Sequence, residues 1–221
     1  PAPPFGGYGP SFVDPRTGEI LGADIMLELV AIVNRVNAEK YFKNGDVFSE
    51  EESNPSPYNR NPFLCAANQM SNHQMVLGST IADVMGMGDA MKKEVARQLM
   101  YRLILHEVGH TLGLTHNMRA STLQTPQDIK NVAKIKKEGL ANSIMEYPAF
   151  NYQANESEQA AYCDEFIGPY DMWVIEYGYT PSLNDEKAES ARVKKITDRS
   201  TEHQLAYGND ADDMRSPGRG I

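Results

Sequence analysis

Three of the five histidines in this 221-residue chain stand in one short stretch, which reads His-Glu-Val-Gly-His-Thr-Leu-Gly-Leu-Thr-His over residues 106–116. A helix of about 3.6 residues per turn would place His106 and His110 on one face, close enough to share a metal ion. Gly113 accepts the left-handed conformation that ends a helix, so the chain can turn there and bring His116 back as a third ligand. Three neutral imidazoles with an open position suit one catalytic zinc ion, whereas calcium and magnesium prefer oxygen ligands.

Glu107 is a candidate base beside this site. It lies about 100° from His106 around the helix, too far to act as a simple third ligand but within reach of a water at the metal. Glu107 would take the proton of a zinc-activated water as general base and later pass it to a leaving amine. The alternative is an amphipathic helix whose histidines serve only the core or the surface. The helical context of the motif favours the metal site.

A long helix is predicted between the glycine-rich break at 86–88 and Gly113, because no proline interrupts this stretch and Asp89 can cap its first amides. One face of this helix is apolar in its first turns and carries the histidines in its last turns. The residues of this face are three or four positions apart: Val95, Leu99, Leu103, His106 and His110. The basic residues Lys92, Lys93 and Arg97 are interpreted as its solvated face. The helix would therefore supply two of the three ligands.

A second segment, Ser-Ile-Met-Glu-Tyr-Pro at 143–148, follows about 30 residues after the motif. The zinc motif together with this Ser-x-Met-x-Tyr turn resembles the metzincin clan of zinc endopeptidases. The resemblance implies that Met145 forms an apolar floor beneath the three histidines. It also implies that Tyr147 ligates the metal or stabilises an oxyanion. By residue type alone, Met145 is one of 11 methionines and would be interpreted as a core residue.

Three further phrases narrow this resemblance. They begin at Tyr8, His116 and Gly168 and read Tyr-Gly-Pro-Ser-Phe-Val-Asp-Pro-Arg-Thr-Gly-Glu-Ile, His-Asn-Met-Arg-Ala-Ser and Gly-Pro-Tyr-Asp. Together they are similar to the met-zincin domain of large secreted zinc metalloproteases from Bacteroidetes-type bacteria. The resemblance implies an α+β zincin-like fold, with a small mixed sheet and a long zinc-binding helix above a cleft. It also implies an irregular helical lower part and a secreted, periplasmic or cell-surface location.

The length fits a single catalytic domain over 1–221, with an upper subdomain at about 1–113 and a lower one at about 114–221. Proline and glycine predict a turn at 14–18. The resemblance implies that residues 20–26 after it form the edge strand, which would bind an extended substrate by β-augmentation. Because the chain opens with loop composition just before this turn, we expect it to be cut from a longer protein with flanking domains. A signal peptide would then lie outside it. The resemblance also implies that part of the sheet is missing here, and that part is either left out, supplied by another chain or replaced by a rearrangement.

Helical patterns predict the remaining elements. Helices are expected at 28–42, within 63–85 before Gly78, from the Thr-Pro-Gln-Asp start at 125 to Gly139, at 169–177 and at about 184–198. The Asn-, Ser- and Pro-rich residues 43–62 form a long loop, either a surface connection or a lid.

The composition excludes several partners. A net charge of −9 without a basic cluster argues against nucleic acid and anionic membranes, and no run of 18 apolar residues predicts a membrane span.

Cys65 and Cys163 are either one disulfide or two buried thiols. The acidic stretch 209–213 is either a calcium site or a solvated tail. His73 and His203 have no partner pattern and are interpreted as structural or exposed.

The leading prediction is a zinc endopeptidase that acts on peptide or protein substrates. The alternative is a zinc-containing peptide-binding or adhesion module of the same fold that does not turn over substrate. Glu107 argues against that alternative, because a purely structural site needs no general base. Hydrolysis of a non-peptide amide at the same site is a third possibility.

Overall fold

The computed structural model describes residues 7–8, 10–27, 67–209 and 212. Both α-helices and short β-strands occur in these residues, which agrees with the predicted α+β class. The chain divides into two compact units, residues 1–112 and 113–221. Among the described helices we find no candidate for a membrane span.

The described strands of the first unit form two antiparallel pairs. Strand β1 (Gly7–Tyr8) pairs with β4 (Met26–Leu27), and β2 (Ser11–Val13) pairs with β3 (Ile20–Ala23). The predicted strand at 20–26 is therefore interrupted after Ala23, where the Asp24 N–H donates to the Pro10 carbonyl at 3.1 Å. Within residues 7–8 and 10–27 these short ribbons stand in place of the predicted mixed sheet.

The predicted turn at 14–18 is confirmed as the connection between β2 and β3. The Asp14 carboxylate accepts a hydrogen bond from the Arg16 N–H at 2.8 Å, and the Asp14 carbonyl accepts one from Gly18 at 2.7 Å. Gly18 has a φ of +76°, a left-handed conformation that glycine adopts without strain. The turn thus folds the segment back as a hairpin.

Two helices complete the described part of the first unit, α1 (Ala67–Val84) and α2 (Gly88–Thr111), and they pack against each other. Helix α1 continues through Gly78, so the prediction of a short helix before that glycine is wrong. Gly78 is buried together with Gln74 and Ala82 on one face of α1, at a spacing of four residues.

The predicted course of α2 is confirmed, with one correction at its start. Its buried face includes the expected apolar residues Val95, Leu99 and Leu103. The residue before its first turn is Met87, which makes no side-chain capping bond, so Asp89 does not cap the helix as predicted. Asp89 instead lies inside the first turn, where a carboxylate interacts favourably with the helix dipole.

The second unit contains α3 (Val132–Glu138), α4 (Pro169–Tyr179) and α5 (Glu186–Thr197), together with several single 3-10 turns. Helices α4 and α5 lie within two residues of their predicted ends. The helix predicted from 125 to 139 is wrong over its first half. Asn131 has an extended backbone there, and its side chain accepts a hydrogen bond from the Lys134 N–H at 3.1 Å, which starts α3. Gly139 ends α3 with a φ of +76°.

Much of the buried core of the second unit comes from the irregular segment between α3 and α4. Its buried apolar members include Ile135, Ala141, Ile144, Met145 and Tyr147. The helix predicted at 28–42 and the loop predicted at 43–62 lie outside the described residues.

Candidate metal centre

Helix α2 carries the first two histidines of the motif in its last turns. His106 is buried, with 1% of its surface exposed, and His110 is half-buried. Their ring centroids lie 4.8 Å apart and the ring planes stand at 88° to each other. The helical spacing therefore brings both rings to one face, as the sequence predicts.

Glu107 lies between these histidines in the sequence and is completely buried. Neither of its carboxylate oxygens has a hydrogen-bond partner among the described residues. Burial raises the pKa of Glu107 to about 7, because removal from water disfavours the charged carboxylate. A buried carboxylate without partners is costly, so such a group points to a functional site rather than to a structural role.

Gly113 ends the helical segment as predicted, with a φ of +86°. His116 follows three residues later and is half-buried. The ligand atoms of His106, His110 and His116 all lie within 4.8 Å of one another. These three histidines can therefore hold one metal ion, and they are the only such group of three or more among the described residues.

Tyr147 lies at the third histidine. Its hydroxyl is 2.7 Å from Nε2 of His116 and forms a hydrogen bond with it, and the two rings meet edge to face at 5.1 Å. Tyr147 is 2% exposed, and Met145 is completely buried two residues earlier. The Met145 carbonyl accepts a hydrogen bond from the Asn117 N–H at 3.2 Å. Within the second unit, hydrogen bonds thus connect the 143–148 turn directly to the segment that carries His116.

Asp171, at the start of α4, holds the beginning of this turn. Its carboxylate accepts hydrogen bonds from the Ser143 hydroxyl at 2.5 Å, the Ile144 N–H at 2.9 Å and the Gly168 N–H at 3.0 Å. The Ser143 hydroxyl oxygen in turn accepts from the Met145 N–H at 3.0 Å. Burial raises the pKa of Asp171, and this effect outweighs the three hydrogen bonds, which lower it.

Sequence reasoning assigned no role to Asp171 or Asn117, although both stand in the phrases that carry the family resemblance. The Gly-Pro-x-Asp order at 168–171 is a helix start with an acid in the first turn, so a capping role for Asp171 was open to prediction. Its bonds to Ser143 and Ile144 join residues more than 20 positions apart. Local pattern carries no signal for such contacts.

The remaining candidates stay outside the site. His203 is exposed and Cys163 is buried. Cys65 lies outside the described residues, as do the His73 side chain and most of the acidic stretch 209–213, so the disulfide and the calcium site stay predictions. Within that stretch, the Asp212 carboxylate accepts a hydrogen bond from the Asn209 N–H at 2.9 Å.

Comparison with known families agrees with this geometry. The model of the Met-zincin family matches residues 88–219, which include α2, the three histidines and the Met145 turn. No curated protein and no solved structure matches the chain. Since the matched region covers more than half of the sequence, the chain belongs to the Met-zincin family of zinc metallopeptidase domains.

Proposed function

We propose that this protein is a zinc-dependent endopeptidase in which His106, His110 and His116 hold the metal and Glu107 is the general base. The donor set fits zinc, because three imidazole nitrogens without a thiolate or further carboxylate are typical of catalytic zinc sites with an open position. When bound there, zinc would supply a Lewis acid that activates water at neutral pH and polarises a carbonyl group. The substrates would be peptides or proteins.

The burial of Glu107 is the observation that carries this proposal. Its carboxylate directly follows a metal-binding histidine in sequence and has no hydrogen-bond partner among the described residues. A protein that used this site only for structure would gain stability by replacing such a group with an apolar one. As general base, Glu107 would accept a proton from the attacking water and deliver it to the leaving amine nitrogen.

Tyr147 is the proposed second catalytic group. Its hydroxyl lies within hydrogen-bond distance of His116 and is therefore close to where the substrate carbonyl would be polarised. A phenol O–H there can donate a hydrogen bond to the oxyanion that develops as water attacks the carbonyl carbon.

Peptide hydrolysis by Glu107→Gln tests the proposal. With a quenched fluorescent peptide library, the zinc-loaded protein should cleave, lose activity with a chelator and regain it with added zinc. Glu107→Gln should keep its zinc and lose about 10²- to 10⁴-fold in rate, because glutamine cannot accept the proton. Glu94→Gln is the matched control, since Glu94 lies on the same helix but pairs with Arg97 at 2.6 Å.

Each failure would have a distinct meaning. Retained activity in Glu107→Gln would exclude Glu107 as the base. A wild-type protein that binds zinc and peptides without cleaving them would instead be the non-catalytic binding module.

A further inference from the structure

Asn117 directly follows the third histidine and is completely buried. Its side-chain Nδ2 donates two hydrogen bonds, one to Oδ1 of Asn142 at 3.1 Å and one to the Ala206 carbonyl at 3.0 Å. Both donor hydrogens of the carboxamide are therefore used.

The oxygen of the same carboxamide is also fully used. Oδ1 of Asn117 accepts hydrogen bonds from the N–H groups of Arg119 at 3.2 Å and Gly208 at 3.1 Å. These two backbone donors and the Ala206 carbonyl fix which end of the amide carries oxygen and which carries nitrogen. No other side chain of this shape offers two donors and two acceptors at these positions.

The main chain strengthens the same junction. The Asn117 N–H donates to the Met145 carbonyl at 3.2 Å, and the Met118 N–H donates to the Gly208 carbonyl at 2.8 Å. Nδ2 of Asn142 adds a second hydrogen bond to the Ala206 carbonyl, at 3.1 Å. Three segments therefore meet at Asn117: the His116 segment, the residues that lead into the Met145 turn, and residues 206–208.

His116 itself lies on chain without regular secondary structure, between Gly113 and the 3-10 turn at Ala120–Leu123. Helical hydrogen bonds hold the backbone of His106 and His110, but they cannot hold that of His116. Its backbone depends on neighbouring contacts, and Asn117, which is the next residue and is completely buried, makes several of them.

We propose that Asn117 is a positioning residue for the metal centre, and that its four side-chain hydrogen bonds fix the backbone from which the His116 imidazole reaches the metal. This inference rests on the proposed zinc site. It assigns to the segment 206–208 a part in metal binding, although this segment contributes no ligand. Residues that orient metal ligands typically change metal affinity about 10- to 100-fold when they are replaced.

Asn117→Asp is the direct test, made in the full chain. Aspartate has the same shape but lacks both donor hydrogens, so its oxygen would face Oδ1 of Asn142 and the Ala206 carbonyl. Asn151→Asp is the matched control: Asn151 is also buried in the second unit, but its side chain bonds to Ala161 at 2.7 Å and Gln153 at 2.8 Å. The readouts are Zn²⁺ affinity by chelator competition, the visible absorption of the Co²⁺-loaded protein, and the melting temperature.

Asn117→Asp should bind Zn²⁺ about 10- to 100-fold more weakly than wild type and shift the Co²⁺ absorption bands. Asn151→Asp should melt earlier with unchanged metal affinity and spectrum. If Asn117→Asp does not fold, Asn142→Asp serves as the test variant. This substitution keeps Oδ1 as the acceptor for Asn117 and removes only the hydrogen bond from Asn142 to the Ala206 carbonyl. It should show a smaller loss of affinity in the same direction.

Wild-type affinity and spectrum in the folded Asn117 variant, or in Asn142→Asp where the former does not fold, would overturn the inference. An equal loss of affinity in the Asn151 control would also overturn it, because the effect would then be general. A wild-type protein that binds neither Zn²⁺ nor Co²⁺ would overturn the proposed zinc site, and with it this role for Asn117.

Discussion

Helix α2 and the irregular chain around His116 present their histidines by different physical means. In α2, the backbone hydrogen bonds of 24 consecutive residues fix the spacing of His106 and His110. His116, Met145 and Tyr147 lie on chain without such a ladder. There, buried polar side chains form hydrogen bonds to backbone groups, and these bonds fix the backbone conformation in place of helical ones.

Four such side chains hold the irregular part. Asn117 bonds to Ala206 and Gly208, and Asp171 bonds to Ser143 and Ile144 at the start of the Met145 turn. Asp164 accepts from the N–H groups of Leu140 at 3.2 Å and Ala141 at 2.9 Å, and Glu146 accepts from the N–H and the hydroxyl of Ser121. Each partner that is removed leaves a buried group unsatisfied, at about 1–3 kcal/mol. The irregular part should therefore tolerate fewer substitutions than the helix.

Gly168→Ala should break the irregular part most severely. A Cβ atom at Gly168 would lie 1.9 Å from the Asn142 carbonyl oxygen, and backbone cannot move aside as a flexible side chain can. We expect a loss of more than about 4 kcal/mol in the free energy of unfolding, measured by urea denaturation.

Gly178→Ala is its matched control near the other end of α4, because a Cβ atom there meets nothing within 4 Å. This variant should keep or raise the stability by up to about 1 kcal/mol. A similar loss in both variants would show that the tight contact at Gly168 is not the cause.

Leu99→Ala tests the helical part. Leu99 is 1% exposed on the buried face of α2, so its truncation leaves a cavity and should cost about 3 kcal/mol of unfolding free energy. Under conditions where the variant is folded, its Zn²⁺ affinity should equal that of wild type, because helical periodicity still spaces His106 and His110. A large drop in affinity of the folded protein would contradict the distinction between the two parts.

Asp128→Asn should have the smallest effect. A hydrogen bond from Lys134, at 2.8 Å, and two from Thr125 lower the pKa of Asp128 from 3.8 to about 2. Its folded pKa lies below the unfolded one, so its stabilising contribution is present above about pH 4 and is lost as the pH falls towards 2. The unfolding midpoint of the variant should depend less on pH than that of wild type across this window. Identical slopes would contradict the assignment.

The same contrast explains how far the sequence predicts the structure. Helix α2, its buried stripe and the turn at Gly113 follow from spacing and glycine conformation, which are local properties. The helix predicted from Thr125 is interrupted at Asn131, whose extended backbone and side-chain bond to the Lys134 N–H start a separate helix there. The predicted strand at 20–26 stops at Ala23, because the next residue opposite it is Pro10, which has no N–H to donate to the ladder.

The candidate site divides in the same way. The motif identified His106, Glu107 and His110 as neighbours because they share one helix. The placement of Tyr147 near the histidines could be predicted only from the family resemblance, since 31 positions separate it from His116. The roles of Asn117 and Asp171 depend on contacts between distant segments, which neither periodicity nor composition encodes.

X-ray absorption at the zinc edge of the metal-loaded protein tests most directly whether the helical and the irregular parts contribute to one site. We expect one zinc per chain with three histidine nitrogens at about 2.0–2.1 Å, and the loss of one nitrogen in His116→Ala. Sulfur neighbours at about 2.3 Å, or an unchanged first shell in His116→Ala, would contradict this expectation.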